Sequence, residues 1–198
     1  SWAWNLGDGN TTTQQNPIHN YNTPGTYPVV LQVTSNFGCV DSFSTNVNIY
    51  GVPVAAFAGS NVCSGQVSEF FNQSNIPGGG TLQCSWNFGD GTTSNLTDPQ
   101  HTYAAPGTYT VTLIVSSQFG CADTISQQFT IYNAPVADFI AIDACDESPV
   151  NFTDLSTSVD GVISTWLWNL GDGTTSTSAN PYYTYAASGT YPVTLTVT

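Results

Sequence analysis

Lysine and arginine are absent from this 198-residue chain, whose ionisable side chains near neutrality are 13 carboxylates and two histidines, for a formal net charge of -13. Charged residues make up 7%, against about a quarter in ordinary usage. Nucleic acid is excluded as a partner, because duplex and single-strand binding lean on Lys and Arg against phosphate. Polybasic attachment to anionic membranes is excluded in the same way. Conventional salt bridges, P-loop lysines, Schiff-base lysines and isopeptide cross-links go with them. Uncompensated negative charge favours solubility and draws divalent cations. The chain also offers no site to a protease that cuts after Lys or Arg, which suits an extracellular setting. No apolar run approaches the roughly 18 residues of a membrane span, so membrane insertion is not expected. No stretch carries a capped 3.6-residue apolar period, so helix should be scarce. No Gly-x-Ser-x-Gly or Cys-His pairing recurs, and the expectation is no enzyme. The chain opens on "SWAWNLGDG" with no signal peptide and stops in "GTYPVTLTVT", where the earlier copies run on into another hairpin. It is expected to be a piece of a longer protein.

What is present is a repeat. Trp4, Trp86 and Trp168 open nearly identical stretches, "WNLGDGNT", "WNFGDGTT" and "WNLGDGTT", spaced 82 residues apart without a gap. Cys39 and Cys121, Cys63 and Cys145, and Gly25, Gly107 and Gly189 keep the same 82-residue interval. A fixed period of this kind decides architecture before individual residues do. It divides the chain into the C-terminal part of one copy (1–51), a complete copy (52–133) and the N-terminal part of a third (134–198). Each copy is the size of a small sandwich domain and should own its core.

Apolar residues alternate, as Tyr109, Val111, Leu113 and Val115 do in "TYTVTLIV". Period two with β-branched and aromatic residues indicates half-buried strands. In the complete copy strands are expected near 53–58, 67–73, 83–89, 92–95, 100–103, 108–117 and 122–132. Seven short strands in some 80 residues match an all-β, immunoglobulin-like sandwich with Trp86 at its centre. Only two or three residues, stiffened by Pro53 or Pro135, separate successive copies, so tandem sandwiches arranged end to end are expected.

"WNFGDGTT", then "DPQHTY", "PGTYTVTLIV" and "FGCADT" resemble the polycystic-kidney-disease-type (PKD) domain over the whole chain. That resemblance implies seven-stranded β-sandwiches and a non-catalytic module used as spacer, stalk or adhesive element, sometimes attached to secreted degradative enzymes. The added cysteines look like the version found in long secreted bacterial surface proteins. Asn5, Asn87 and Asn169 stand where the family usually has the first Asp of the motif, and Tyr183 stands where the other copies have His19 and His101.

Asp8, Asp90 and Asp172 have no acidic neighbour in sequence, so a catalytic site is not indicated and a turn is, with Asp-Gly supplying the positive-φ residues of a tight hairpin. His19 and His101 are expected to pack or hydrogen-bond beside Tyr21 and Tyr103, because Tyr183 keeps a ring and discards ligand chemistry. Asp143, Asp146 and Glu147 form a loop group in the third copy that reads as a solvated loop, since the matching loop "GSNVCSGQ" has no acid; no cofactor is expected, and calcium is the alternative. Cys39, Cys63, Cys121 and Cys145 recur with the repeat, which fits disulfides in an oxidising compartment. An intradomain Cys63–Cys121 bridge is the simplest pairing. A strand of nine residues spans roughly 30 Å, however, and a disulfide allows only about 4.4–6.8 Å between Cα atoms. A bridge between neighbouring copies, its partners outside the chain, is the alternative. Cys84 takes the slot of Trp2 and Trp166 and reads as a buried free thiol.

The expected function is a structural or adhesive repeat segment of a long extracellular, cell-surface or filament protein. Its partners would be neighbouring repeats, other copies of itself in a filament, or glycans. The alternative is an accessory carbohydrate-binding or spacer module of a secreted hydrolase, for which Tyr182, Tyr183 and Tyr185 would be the sugar-stacking platform.

Overall fold

The structure, a computed structural model, describes residues 1–145 and 147–198, and among them there is no helix. The first copy supplies β1 (Trp2–Asn5), β2 (Thr11–Thr12), β3 (Gly25–Thr34) and β4 (Val40–Ile49). The middle copy supplies β5 (Phe57–Gly59), β6 (Val62–Cys63), β7 (Val67–Asn72), β8 (Leu82–Asn87), β9 (Thr93–Ser94), β10 (Gln100–Thr102), β11 (Gly107–Ser117) and β12 (Ala122–Tyr132). The third supplies β13 (Phe139–Ala141), β14 (Val150–Asp154), β15 (Trp166–Asn169), β16 (Thr175–Ser176), β17 (Tyr182–Tyr183) and β18 (Thr194–Val197). By contacts the chain divides into two compact units.

The first unit comprises Ser1–Ser60, Ser68–His101 and Tyr109–Phe129. Its N-terminal sheet runs β2-β1-β3-β4, with Trp4 opposite Leu31 and the β3–β4 hairpin paired from Gly25↔Ile49 to Thr34↔Val40. In the middle copy the strands fall into two sheets, β10-β7-β5 and β6-β12-β11-β8-β9. Alternation drives this arrangement: Val111, Leu113 and Val115 are fully buried, while Ile114 on the opposite parity is exposed. Phe57 and Phe70 come from one sheet, Trp86 and Phe129 from the other. Phe57 meets Trp86 edge-on at 5.1 Å, and Phe70 meets Phe129 edge-on at 5.3 Å. Such pairs add about 0.5–1.5 kcal/mol to the burial of the rings themselves. Gly59 admits this packing, because a Cβ there would stand 2.8 Å from the Phe129 ring and 2.9 Å from that of Phe70.

The join between the first and middle copies also lies in this unit. Tyr50, just past β4, stacks on Phe119 of the β11–β12 hairpin at 3.4 Å and 11°. Gly51 lies so close to the Pro77 carbonyl oxygen that a Cβ would collide with it.

The second unit comprises Asn61–Val67, Thr102–Thr108 and Thr130–Thr198. Its third-copy sheets run β13-β14-β17 and β16-β15-β18. Phe152, Trp168 and Leu170 are buried among Phe139, Val150, Trp166, Tyr183, Tyr185, Val193 and Leu195. Phe139 meets Trp168 at 5.1 Å and 73°, reproducing the Phe57–Trp86 contact one period earlier. At the position of Gly51 stands Asn133, whose backbone N–H and side-chain amide both donate to the Asp160 carboxylate.

The strand β6 is absent from the expected set. Val62 and Cys63 pair in parallel with Ile131 and Tyr132 at the end of β12, and the Asn61 side chain accepts the Thr130 N–H at 3.0 Å. A two-residue strand carries no period, and its partner lies some 70 residues away in sequence. Nothing local marks it.

One buried slot is filled differently in different copies. Cys84 is 8% exposed, and its sulfur accepts from the Asn72 side-chain amide at 3.3 Å. One period on, Trp166 occupies the slot and donates from Nε1 to the Asp154 carboxylate at 2.6 Å. Both members of the pair have changed together. Burial raises the Cys84 thiol pKa, with the Asp98 charge adding to it.

Candidate functional site

The three GDG corners follow directly from the ends of β1, β8 and β15. In each, the tryptophan pairs across to the short following strand, and the corner closes through a backbone bond between the residue after the motif Asn and the residue after the second glycine: Leu6→Asn10 at 2.9 Å, Phe88→Thr92 at 3.2 Å and Leu170→Thr174 at 3.0 Å. The tryptophan Nε1 then donates to a carbonyl ten residues on, Gln14, Leu96 or Ser178, at 2.9–3.0 Å. The side-chain oxygens of Asn5, Asn87 and Asn169 accept the N–H of the first glycine at 2.9–3.0 Å. Asn serves here as well as Asp, since the role needs only an acceptor oxygen.

Positive φ falls on the two glycines, at +82° and +94° in the first corner, +84° and +91° in the second, and +86° and +94° in the third. The aspartate between them stays at negative φ, so the turn differs from an Asp-Gly pair of positive-φ residues. The first glycine has a second reason for its identity. A Cβ at Gly89 would lie 2.7 Å from the Thr110 carbonyl oxygen, and one at Gly7 would lie 2.8 Å from that of Pro28.

Each aspartate uses both oxygens. Asp8 Oδ1 accepts the Asn10 N–H at 3.0 Å, and Oδ2 accepts the Asn10 side chain at 2.9 Å and bonds His19 Nε2 at 2.7 Å. Asp90 accepts the Thr92 N–H and hydroxyl through Oδ1 and bonds His101 Nε2 through Oδ2 at 2.7 Å. Asp172 accepts the Thr174 N–H through Oδ1, and the Tyr183 hydroxyl donates to its Oδ2 at 2.7 Å. The ring partner is always 11 residues past the aspartate, a constant interval legible in the sequence but not used there. His19 and Tyr183 also pack edge-on against Tyr21 and Tyr185, at 4.6 and 4.8 Å. Those tyrosines donate to the Leu6 and Leu170 carbonyls inside the corner at 2.9 and 2.8 Å.

These bonds set the acidity of the corner. Hydrogen bonds from the Asn10 side chain and from His19 lower the Asp8 pKa from 3.8 to about 2. At Asp90 burial pushes upward, but the Thr92 and His101 bonds outweigh it and the pKa is lowered. At Asp172 the Tyr183 hydroxyl leads, followed by Thr174, and the pKa is again lowered. A depressed folded-state value stabilises the fold above the unfolded pKa, and that stability is lost as pH falls through the folded value. The corners should therefore contribute fully above the ordinary carboxylate value of 3.8 and lose that contribution as pH falls below it, for Asp8 through about 2. Asp90→Asn should lower the melting temperature at pH 6, and by progressively less as pH falls below the ordinary carboxylate range. Parallel melting-temperature profiles for variant and wild type by circular dichroism would contradict this.

A carboxylate with one oxygen bonded within its own turn and the other to a ring 11 residues on is a structural latch. No group of three or more His, Cys, Asp or Glu suited to a metal ion occurs among the described residues. Asp143 and Glu147 are exposed, and Asp146 lies outside the described residues. All five cysteines are free: Cys39 and Cys145 exposed, Cys63 and Cys121 half-buried, Cys84 buried. Of the three tyrosines considered for sugar stacking, only Tyr182 presents an exposed ring, at 75%. Tyr183 is held by Asp172, and Tyr185 is stacked on Tyr191 at 3.9 Å, so the three make no flat row.

Comparison with known proteins agrees with this picture of repeated corners. The collagenase ColA of Bacillus cereus is 53% identical over 45 residues, 23% of this chain and 5% of that protein. The metalloprotease PrtV of Vibrio cholerae is 51% identical over 43 residues, 22% of this chain and 5% of its own length. The chain thus spans about one-twentieth of the length of these curated relatives. Among solved structures, the PKD1 domain of Vibrio anguillarum Epp is 29% identical, covering 43% of this chain and 100% of that domain at a TM-score of 0.39. The PKD1 domain of Vibrio cholerae PrtV is 31% identical, covering 42% of this chain and 99% of its own at 0.37. The family model described as PKD domain matches residues 1–49, 51–131 and 132–198, and the chain belongs to that family as three tandem immunoglobulin-like β-sandwich segments.

Proposed function

We propose that the chain is a non-catalytic structural or adhesive segment of a long extracellular bacterial surface or filament protein. One observation carries the reading: an unbroken 82-residue period in which the repeated polar motif is consumed in closing its corner. Short joins support it, with Tyr50 stacked on the following copy and Gly51 tight against Pro77. Small-angle scattering on chains of two, three and four repeats is the test. Each added copy should lengthen the maximum dimension by a constant increment of roughly 35 Å, the length of an 11-residue strand. A compact particle whose dimension grows with the cube root of mass refutes it.

A second reading is favoured by the names of the relatives, a collagenase and a metalloprotease. Here the repeats would be accessory modules that hold a hydrolase on its substrate. Sedimentation with insoluble collagen and with insoluble polysaccharides separates the two. Saturable capture at micromolar chain concentration supports the accessory role.

A further inference from the structure

The two kinds of repeated cysteine sit beside residues equivalent to the two halves of an aromatic clasp. Cys121 lies two residues past Phe119 in the β11–β12 hairpin, and Phe119 stacks on Tyr50 of the preceding copy at 3.4 Å. Cys63 pairs with Tyr132, which is Tyr50 moved on by one 82-residue period. In a parallel pair the two strands are about 4.8 Å apart. Superposed by one period, a first-loop cysteine flanks the tyrosine, the next copy's hairpin cysteine follows the phenylalanine by two residues, and at the Tyr50–Phe119 join the rings are in contact. The hairpin itself is a fixed device. "NFGC" at 36–39 and "QFGC" at 118–121 share a glycine at φ +82° or +83° and a closing bond, Ser35→Cys39 at 2.9 Å or Ser117→Cys121 at 2.8 Å.

From this geometry we infer that successive repeats are fastened by a disulfide between the first-loop cysteine of one copy and the hairpin cysteine of the next. The alternative within one copy fails on length. Cys63 pairs at the last residue of β12 and Cys121 precedes its first, and 11 residues of strand extend roughly 35 Å against the 4.4–6.8 Å that a bridge allows. Forming the bridge removes one proton from each thiol and two electrons in all. An external disulfide such as glutathione disulfide accepts them and leaves as two thiols. Tyr132 is a positioning residue for this step, since it presents the ring on which the incoming hairpin docks.

The test uses the full chain, alone and extended after Thr198 by a second copy of residues 117–133, which gives the third repeat its hairpin. Both are oxidised with glutathione disulfide and mapped without reduction by pepsin at acid pH, since no Lys or Arg is available to trypsin. In the extended chain Cys63 should be linked to the appended hairpin cysteine, and in neither chain should it be linked to Cys121. Tyr132→Ala should slow bridging by roughly three- to tenfold, the range of an aromatic pair. A Cys63–Cys121 peptide, a free Cys63 thiol in the extended chain, or an unchanged rate in the variant would each overturn the inference.

Discussion

Trp86→Ala is expected to remove about 3–5 kcal/mol of stability from the middle copy, the loss typical of truncating a fully buried aromatic. Trp86 is 1% exposed, meets Phe57 and Phe70 at 5.1 and 5.9 Å, and donates from Nε1 to Leu96 at 2.9 Å. A domain of this size holds a total of roughly 4–12 kcal/mol. The variant should therefore leave the middle copy marginal while the other cores persist. Trp86→Phe keeps a ring in the slot and forfeits the indole donor, so its loss should be clearly smaller. Hydrogen exchange of the 82–117 segment in graded urea reads this copy in isolation. Equal protection in Trp86→Ala and wild type would show that the ring does not organise the core.

Gly89→Ala is expected to be far more damaging than Gly91→Ala, although both residues sit at positive φ in the same corner. At Gly91 nothing lies within 4 Å of the added Cβ, so only the strained backbone conformation is imposed, about 1–3 kcal/mol. At Gly89 the same strain is joined by a collision with the backbone of β11, at 2.7 Å from the Thr110 oxygen and 3.0 Å from its nitrogen. Moving that strand costs about 1–3 kcal/mol more. Urea midpoints at constant slope would measure both. Equal shifts would mean that the corner yields without disturbing β11.

Much of this was legible because the repeat multiplies every signal. Val111, Leu113 and Val115 announce a buried face by alternation alone, and β7, β8, β11 and β12 fall within a residue or two of the expected spans. The corner was legible as a turn, but its latch was not. Asp90 and His101 are 11 residues apart on different elements, and no local rule joins a loop carboxylate to a ring on the strand beyond. The exchange of His for Tyr183 pointed away from ligand chemistry, and the structure gives the reason: either ring can present a polar group to the aspartate. The second demand for glycine at Gly7 and Gly89, the approach of Pro28 and Thr110, is a tertiary fact.

The linked change at one interior slot, Asn72 with Cys84 against Asp154 with Trp166, bears on how such arrays diversify. Gene conversion between copies with a breakpoint inside the twelve-residue interval would yield a hybrid holding Asp beside a buried thiol, or Asn beside the indole. Either mismatch loses its partner at a half-buried site, so exchange is tolerated best when the two strands travel together. The inheritable unit is then the strand pair, smaller than the 82-residue period and larger than any single motif.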